Sequence, residues 1–551
     1  MDWYALVNEC ALVICALAAI IVVYHKWNFK EKLKNLWVGF EVDRTHWLCV
    51  GGLGLLFLIT RLFKLDQIPL GYHVDEAAMS YNAFCLAHYG VDRYLDVYPF
   101  VVNNFGGGQS ALYSYILLIL LKVFDYSLFV TRIPAVVFGG ITACFSYLLV
   151  RKILGKRSAL FVLFLIVITP YFLMASRWGL DCNLYLGTFV AAIYVFVCAI
   201  EKGKTRWYVL SGCAFGVVLY TYSLAYLALP VFLFVSTVYL MWMKKIRVRD
   251  FIGLAIPLFI LALPLMLFVV INAGYIGEIS TAYFTIPQFS FYRASEISPS
   301  HFLENLNIFR ILLVEDGLTY NALSEFGTLY YMSIPLVFVG MLLSGRQIIA
   351  DMKQKKYSIE FFVFLMFLSI LLCSMMVYEP NINRTNAIYF PLVYFVVVAV
   401  RELFCHATKL GWIVVGLYVV CAGFFFDYYF NDYSKDIYPQ KYFNDGIYEN
   451  MPYINELAPE HSVAVYIDPT NVQMPHIYTV IYELMSPYDF IPKSDPEKNY
   501  SYWNYRFYLP EEIDGNGIYM IYKDYSGDYQ RRLESEGFTA VEQNGYRIFT
   551  R

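Results

Sequence analysis

Charge is scarce in this chain. Of its 551 residues, 15% are Asp, Glu, Lys or Arg, where a soluble domain carries about 25%, so an ordinary cytosolic enzyme is excluded. Eleven cysteines are scattered, several inside apolar runs (Cys15, Cys144, Cys198, Cys373, Cys421), and none follows Cys421. No C-x-x-C or Cys/His spacing is present, so nothing supports a disulfide framework or a zinc site, and the thiols read as small core-filling hydrophobes. Residues 431–551 hold no Gly-rich phosphate loop, and the chain shows no internal repeat. What is plentiful is apolar: 59% of residues are hydrophobic and 19% aromatic. That composition excludes a disordered chain and suits a protein with two water–lipid boundaries to anchor.

The two parts of the chain differ in sign. From Asp427 to Arg551 there are 20 acids and 10 bases, a net of −10, while the first 426 residues sum to +7. The acidic tail reads as an aqueous domain, with nothing basic enough to attract nucleic acid. Before it, twelve apolar runs approach the ~20 residues that a span needs. They are 5–24, 47–65, 127–150, 158–175, 184–200, 207–222, 224–243, 251–271, 328–344, 359–378, 386–404 and 411–430. The first has neither a basic n-region nor a small-residue cleavage site, so it reads as a retained anchor. Six basic loops punctuate the runs: His25–Lys34, Arg151–Arg157, Glu201–Arg206, Lys244–Arg249, Arg346–Lys356 and Arg401–Lys409. Placing all six in the cytoplasm makes the twelve crossings alternate, with both termini outside.

Ser110–Phe124 (SALYSYILLILLKVF) must then not cross, because a span there would turn Arg151–Arg157 outward. It is short, is closed by Lys122 and Asp125, and reads as an interfacial or re-entrant helix at the outer surface. The outer side holds the loops 66–109 and 272–328, the short turns Ser176–Asn183 and Tyr378–Thr385, and the tail. The expected fold is therefore a polytopic all-α membrane protein of about 12 spans plus an interfacial helix, over residues 1–430. A small extracytoplasmic α/β domain follows at 431–551. In it Ser462–Ile467, Gly517–Tyr522 and Phe538–Phe549, turning at Asn544-Gly545, read as strands. Glu449–Leu457, Ile477–Leu484 and Tyr529–Glu536 read as helices.

Candidate chemistry gathers on the outer side. Asp75-Glu76 opens an amphipathic helical stretch of the first loop. It is either a pair of acids favoured by the helix dipole or a general base at the lipid–water boundary, where low dielectric tunes its pKa. His73 stands beside it as a substrate-binding candidate. In the turn SRWGLDCN, Arg177 and Asp181 are four residues apart, so they either pair on one helix face or belong to an active site. Arg132, in the first turns of a span, reads as a snorkelling cation or as a fixed charge that orients Asp75 or Glu76. Arg384, in EPNINRTNAIYFP, reads as a boundary charge or as a phosphate clamp suited to its bidentate fork. Arg293, His301 and Arg310 are further candidates for that role, and Asp316 is structural or substrate-contacting.

In order and spacing these pieces resemble a family, the GT-C membrane glycosyltransferases that use polyprenyl-phosphate sugars. Its members include the dolichyl-phosphate-mannose–protein mannosyltransferases and the bacterial aminoarabinose transferase acting on lipid A. The resemblance covers about residues 47–430. It rests on Val74-Asp75-Glu76-Ala77, Phe105-Gly106-Gly107-Gly108, Arg-Ile-Pro-Ala at Arg132–Ala135, the basic turn Arg151–Arg157, and the Ser-Arg…Leu-Asp turn Ser176–Asp181. It implies that Asp75 is the base or orienter of the acceptor, that Asp181 is the second acid, and that Arg132 is linked to the loop acids. Two features depart from the family. Loop 272–328 and the tail do not look like the mannosyltransferases' sugar-binding repeats, and Asp181 is followed by Cys-Asn instead of a plainly apolar run. The acceptor is therefore not carried over.

The resemblance leads to a mechanistic expectation. A sugar on a polyprenyl phosphate, undecaprenyl phosphate in a bacterium, is transferred with inversion to an extracytoplasmic acceptor (glycan, lipid or protein). The bilayer holds the donor's tail, and Arg384, with Arg177, holds its phosphate. No cofactor is required; a divalent metal would need Asp75 and Asp181 to converge on one ion. Two rival readings are a lipid or solute transporter or flippase, and a membrane-anchored surface binding protein. Transporters usually carry mid-span charges and paired broken helices, which are not evident here. The expected location is the plasma membrane, with the site and the tail extracytoplasmic.

Overall fold

The computed structural model describes residues 2–28, 44–290, 296–436, 442–443, 446–470, 472–493 and 500–551. Every one of the twelve apolar runs is helical. The first half contains α1 (Asp2–Asn28), α2 (Arg44–Leu62), α3 (Val74–Tyr89), α4 (Leu112–Leu121), α5 (Leu128–Leu154) and α6 (Lys156–Ile168). After these come α7 (Pro170–Ala175), α8 (Tyr185–Lys202), α9 (Thr205–Leu219), α10 (Ala225–Trp242) and α11 (Val248–Asn272). Short helices α12 (His301–Glu304) and α13 (Ile308–Leu313) lie in the second long loop. They are followed by α14 (Ser333–Lys353), α15 (Glu360–Met375), the turn α16 (Ile382–Thr385), α17 (Tyr389–His406) and α18 (Thr408–Asn431).

Length divides the twelve runs. Among the described residues nine helices are long and apolar enough to cross a bilayer, while α9 and α15 have only 15 and 16 residues. The run 158–175 is broken at Thr169, where Pro170 starts α7 as a new helix, because proline lacks the N–H that would continue the ladder. Helix α4 has ten residues, about 15 Å at 1.5 Å per residue, too short to span. That agrees with the reading of Ser110–Phe124 as a segment that does not cross.

One expectation about α3 fails. Its stretch is not amphipathic: every residue from Glu76 to Ala87 is buried. Helix α4 covers one side of this region, and the tail covers another through the helix His476–Glu483, so the stretch from Glu76 to Ala87 has no face left for water.

The tail builds a five-stranded sheet in the order β6-β5-β7-β9-β8. Its strands are β5 (Val465–Ile467), β6 (Tyr505–Arg506), β7 (Ile518–Tyr522), β8 (Thr539–Gln543) and β9 (Tyr546–Thr550). β5 runs parallel to β6 and β7, while β7–β9 and β8–β9 are antiparallel. The β8–β9 hairpin turns at Asn544 and Gly545, both with positive φ, as the sequence indicates. Two earlier hairpins lie in the long loops: β1 (Val101–Asn104) with β2 (Gly107–Ser110), and β3 (Ile279–Ser280) with β4 (Thr285–Ile286).

Candidate active site

Asp75 and Glu76 occupy the first turn of α3, and His73 caps it. The His73 Nδ1 accepts the Asp75 amide at 3.2 Å, which leaves the ring proton on Nε2. Burial holds the His73 pKa below its ordinary value although Asp75 Oδ2 lies 3.8 Å away, so at neutral pH the ring is an uncharged cap.

The two carboxylates then part. Glu76 is fully buried and accepts both Arg132 Nε and Nη2 at 3.0 Å, with the Gly179 amide at 2.7 Å. The other Arg132 N–H groups donate to the carbonyls of Leu65, Pro69 and Gly71 at 2.7–2.8 Å. All five N–H groups are thus spent inside the protein. Gly179 is required at this crossing, since a Cβ there would lie 2.9 Å from the Tyr113 hydroxyl and 3.2 Å from Glu76 Cγ.

Asp75 stays open, its side chain 34% exposed. Its Oδ1 accepts Asn104 Nδ2 at 2.8 Å, and the Asn104 carbonyl accepts Arg93 Nη2 at 3.1 Å. The Arg93 cation fixes which end of the amide faces Asp75, so Asp75 is aimed by a relay from the β1–β2 hairpin. That hairpin turns through Phe105 and Gly106, both at positive φ, a turn that glycine makes cheap. Neither Arg93 nor Asn104 could be found in the sequence, because nothing local distinguishes them from loop residues.

The same hairpin holds Asp181, whose Oδ2 accepts the Ser110 amide at 3.2 Å and whose Oδ1 accepts the Cys182 amide at 2.8 Å. Asp181 does not pair with Arg177. Arg177 instead donates to the carbonyls of Thr60, Arg61, Phe63, Lys64 and Ile68 at 2.7–3.0 Å. It caps the C-terminus of α2, where a cation meets the dipole's negative end.

Asp181 and Arg384 line one cavity of about 270 Å³, with Gln109, Ser110 and Glu296 on its polar side and Leu224, Leu227, Phe268 and Val269 on its apolar side. Arg384 Nη1 forms an ion pair with Glu296 Oε2 at 2.9 Å and donates to the Tyr378 carbonyl at 2.6 Å. Asn381 caps its short helix, accepting the Arg384 amide at 2.9 Å, and Asp316 accepts the Ile382 amide at 2.9 Å. Asp316 therefore anchors the Arg384 turn, and burial raises its pKa. Asp75 does not line this cavity. Of the further candidates, His301 Nδ1 faces the Met376 carbonyl at 3.3 Å and Arg310 pairs with Glu315 at 2.9 Å. Arg293 lies outside the described residues. Among the described residues no three His, Cys, Asp or Glu side chains gather as a metal cage.

Residues 109–272 match the family model of the dolichyl-phosphate-mannose-protein mannosyltransferases. That segment contains Arg132, Arg177 and Asp181 but not Asp75. No curated protein matches the chain. Among solved structures the chain is similar to ArnT from Cupriavidus metallidurans in the apo state, with TM-score 0.55, 11% identity, 92% of this chain and 98% of that one covered. With the same coverage and identity it matches ArnT bound to undecaprenyl phosphate, at TM-score 0.50. It is also similar to the Archaeoglobus fulgidus oligosaccharyltransferase complexed with zinc and sulfate, with TM-score 0.51, 13% identity, 91% of this chain and 73% of that one covered. The fold is that of the GT-C glycosyltransferases, as the sequence motifs indicate.

Proposed function

We propose that the protein transfers a sugar from a polyprenyl phosphate, such as undecaprenyl phosphate, to an acceptor hydroxyl on the outer side of the plasma membrane. The observation that carries this reading is the arrangement of charge. An exposed carboxylate, Asp75, is aimed by the Asn104–Arg93 relay, and its hairpin also builds the cavity holding Asp181 and Arg384. The matching family model and the likeness to a protein bound to undecaprenyl phosphate support the donor class.

Asp75 takes the acceptor's proton as that oxygen bonds to the anomeric carbon. The bond from that carbon to the phosphate oxygen breaks, and its electron pair leaves with the polyprenyl phosphate. Arg384 neutralises the growing negative charge, replacing its contact with Glu296 by one to phosphate. Attack opposite the leaving group inverts the centre, and no cofactor is needed because the base is a carboxylate and the leaving group a phosphate. Leu224, Leu227, Phe268 and Val269 receive the first isoprene units. Arg177 is occupied as a helix cap, so of the two arginines Arg384 is the one left for the phosphate.

The test is release of polyprenyl phosphate from a sugar-charged donor by protein purified in detergent. For Asp75→Asn, with the wild-type elution profile, turnover should fall at least ~100-fold, within the range for a lost general base. Wild-type turnover in a folded Asp75→Asn protein removes Asp75 from the mechanism.

A further inference from the structure

Helix α15 is short for a span. Its 16 residues reach about 24 Å at 1.5 Å per residue, against the ~30 Å of a bilayer's hydrocarbon. Its C-terminal end, which the charge pattern turns outward, is closed by the second long loop. The Ser298 amide donates to the Met376 carbonyl at 2.9 Å. Asn305 Nδ2 donates to the carbonyls of Met375 and Val377 at 3.1 and 2.8 Å, and Ile297 forms a β-bridge with Val377. Carbonyls that a helix end leaves unpaired are met here by the loop.

That loop reaches down beside the spans. The Phe309 ring of α13 meets Phe338 at 5.4 Å and Phe367 at 6.5 Å. Phe338 is the sixth residue of α14, and Phe367 lies eight residues before the end of α15. At 1.5 Å per residue these rings start about 8–12 Å inside the ends of their helices. Ile308, Leu312 and Leu313 of α13 are buried, so one side of the segment is fixed against the protein.

The other side is not. Leu303 is 74% and Leu306 63% exposed, and Phe338, on which Phe309 packs, is itself exposed on α14. The face that α14 turns to lipid therefore continues onto this segment through the Phe338–Phe309 contact. Glu304, Asn307 and Arg310 are exposed beside the leucines, and Arg310 pairs with Glu315 at 2.9 Å. Leucines interleaved with polar residues suit a chain lying in the water–lipid interface, where Glu and Arg extend their charges to the headgroups.

We propose that Leu303 and Leu306 insert among the acyl chains of the outer leaflet, and that α12 and α13 form an interfacial element that completes the short span α15. The occupant is bilayer lipid, because the exposed face is continuous with a membrane-facing one. Glu296 and Ile297, which line the Asp181–Arg384 cavity, immediately precede this element, so the leaflet holds one wall of that cavity in place. The insertion follows from the membrane-spanning fold and is independent of the transfer reaction.

The experiment puts an environment-sensitive fluorescent amino acid at position 303 or 306, one at a time, in the full-length protein. Each labelled protein, with the wild-type elution profile, is reconstituted in liposomes of phosphatidylcholine and phosphatidylglycerol. Lipids bearing a nitroxide near the top of the acyl chain should quench both labels several-fold more than the same label at Val541, an exposed apolar residue of the tail. Aqueous iodide should show the reverse order. Lipid quenching no stronger than at Val541, or iodide quenching as strong, overturns the proposal. Lipid quenching that is relieved by added polyprenyl phosphate also overturns it, and assigns the leucines to the donor's tail.

Discussion

Arg384 and Glu296 set the most direct residue-scale test of the donor site. They hold each other at 2.9 Å, each partly exposed, so the carboxylate competes for the cation that a phosphate would need. Glu296→Gln keeps the shape but removes the competing charge, and the donor KM should fall several-fold with kcat little changed. Arg384→Ala should raise it by ~10-fold or more, the effect of losing a charge-assisted contact worth about 1.5–3 kcal/mol. A donor KM unmoved by both changes argues against the clamp. A second test concerns pH. Burial raises the Asp92 carboxyl to about 6, and burial with the Asp92 charge raises Asp96 to about 7. Between pH ~4 and ~7 the folded protein therefore holds protons that the unfolded chain releases, and stability falls as pH rises through that window. Asp92→Asn keeps an acceptor for the Tyr94 and Asp96 amides at 2.8 and 3.0 Å. It should raise Tm at pH 8 by an amount worth up to about 3 kcal/mol, at 1.36 kcal/mol per pKa unit, and leave it unmoved at pH 4. Equal gains at both pH values would mean that the Asp92 charge is not the cause.

At the scale of elements, what was legible in the sequence is what depends on local pattern. Apolar length marks the helices of all twelve runs, and period-two patterning with Asn544-Gly545 marks β5, β7 and the β8–β9 hairpin. Span length was not legible where a proline reset the helix at Thr169–Pro170, nor was β6, only two residues long. The roles of the arginines were hidden for a different reason, since a guanidinium's partners are often carbonyls far along the chain. Arg132, read as a fixed charge orienting Asp75 or Glu76, does pair with Glu76 but also holds the carbonyls of Leu65, Pro69 and Gly71. Arg177, read as a partner for the donor phosphate, caps α2, so both fasten the segment 60–71. That fastening sets a prediction. Arg132→Met leaves Glu76 charged, buried and unpaired, which should cost about 3–5 kcal/mol. The double change with Glu76→Leu should recover much of the loss in a thermal unfolding assay. If Arg132→Met is instead as stable as wild type but inactive, the arginine serves substrate and not structure.

The whole molecule raises a question that the sequence divides one way and the packing another. Composition separates residues 431–551 as an acidic aqueous domain, which suggests an accessory module that can be removed with the chemistry intact. The packing joins them. Tyr81 on α3 donates to the Met485 carbonyl at 2.8 Å and meets the Phe490 ring at 6.5 Å, Tyr72 meets Tyr448 at 5.3 Å, and one apolar core runs from the membrane helices into β5 and β7. Helix α3 carries Asp75, and the tail covers one side of its buried stretch from Glu76 to Ala87. Removing residues 432–551 would expose Tyr72 and Tyr81 to water, with each large apolar side chain worth about 1.5–3 kcal/mol of burial, and would free the helix that carries the base. The truncated chain should therefore elute as aggregate in detergent, or as a monodisperse species without donor turnover. A monodisperse truncated protein with wild-type turnover would show that α3 is held by the membrane helices alone, and that the tail's contacts are incidental to the placement of Asp75.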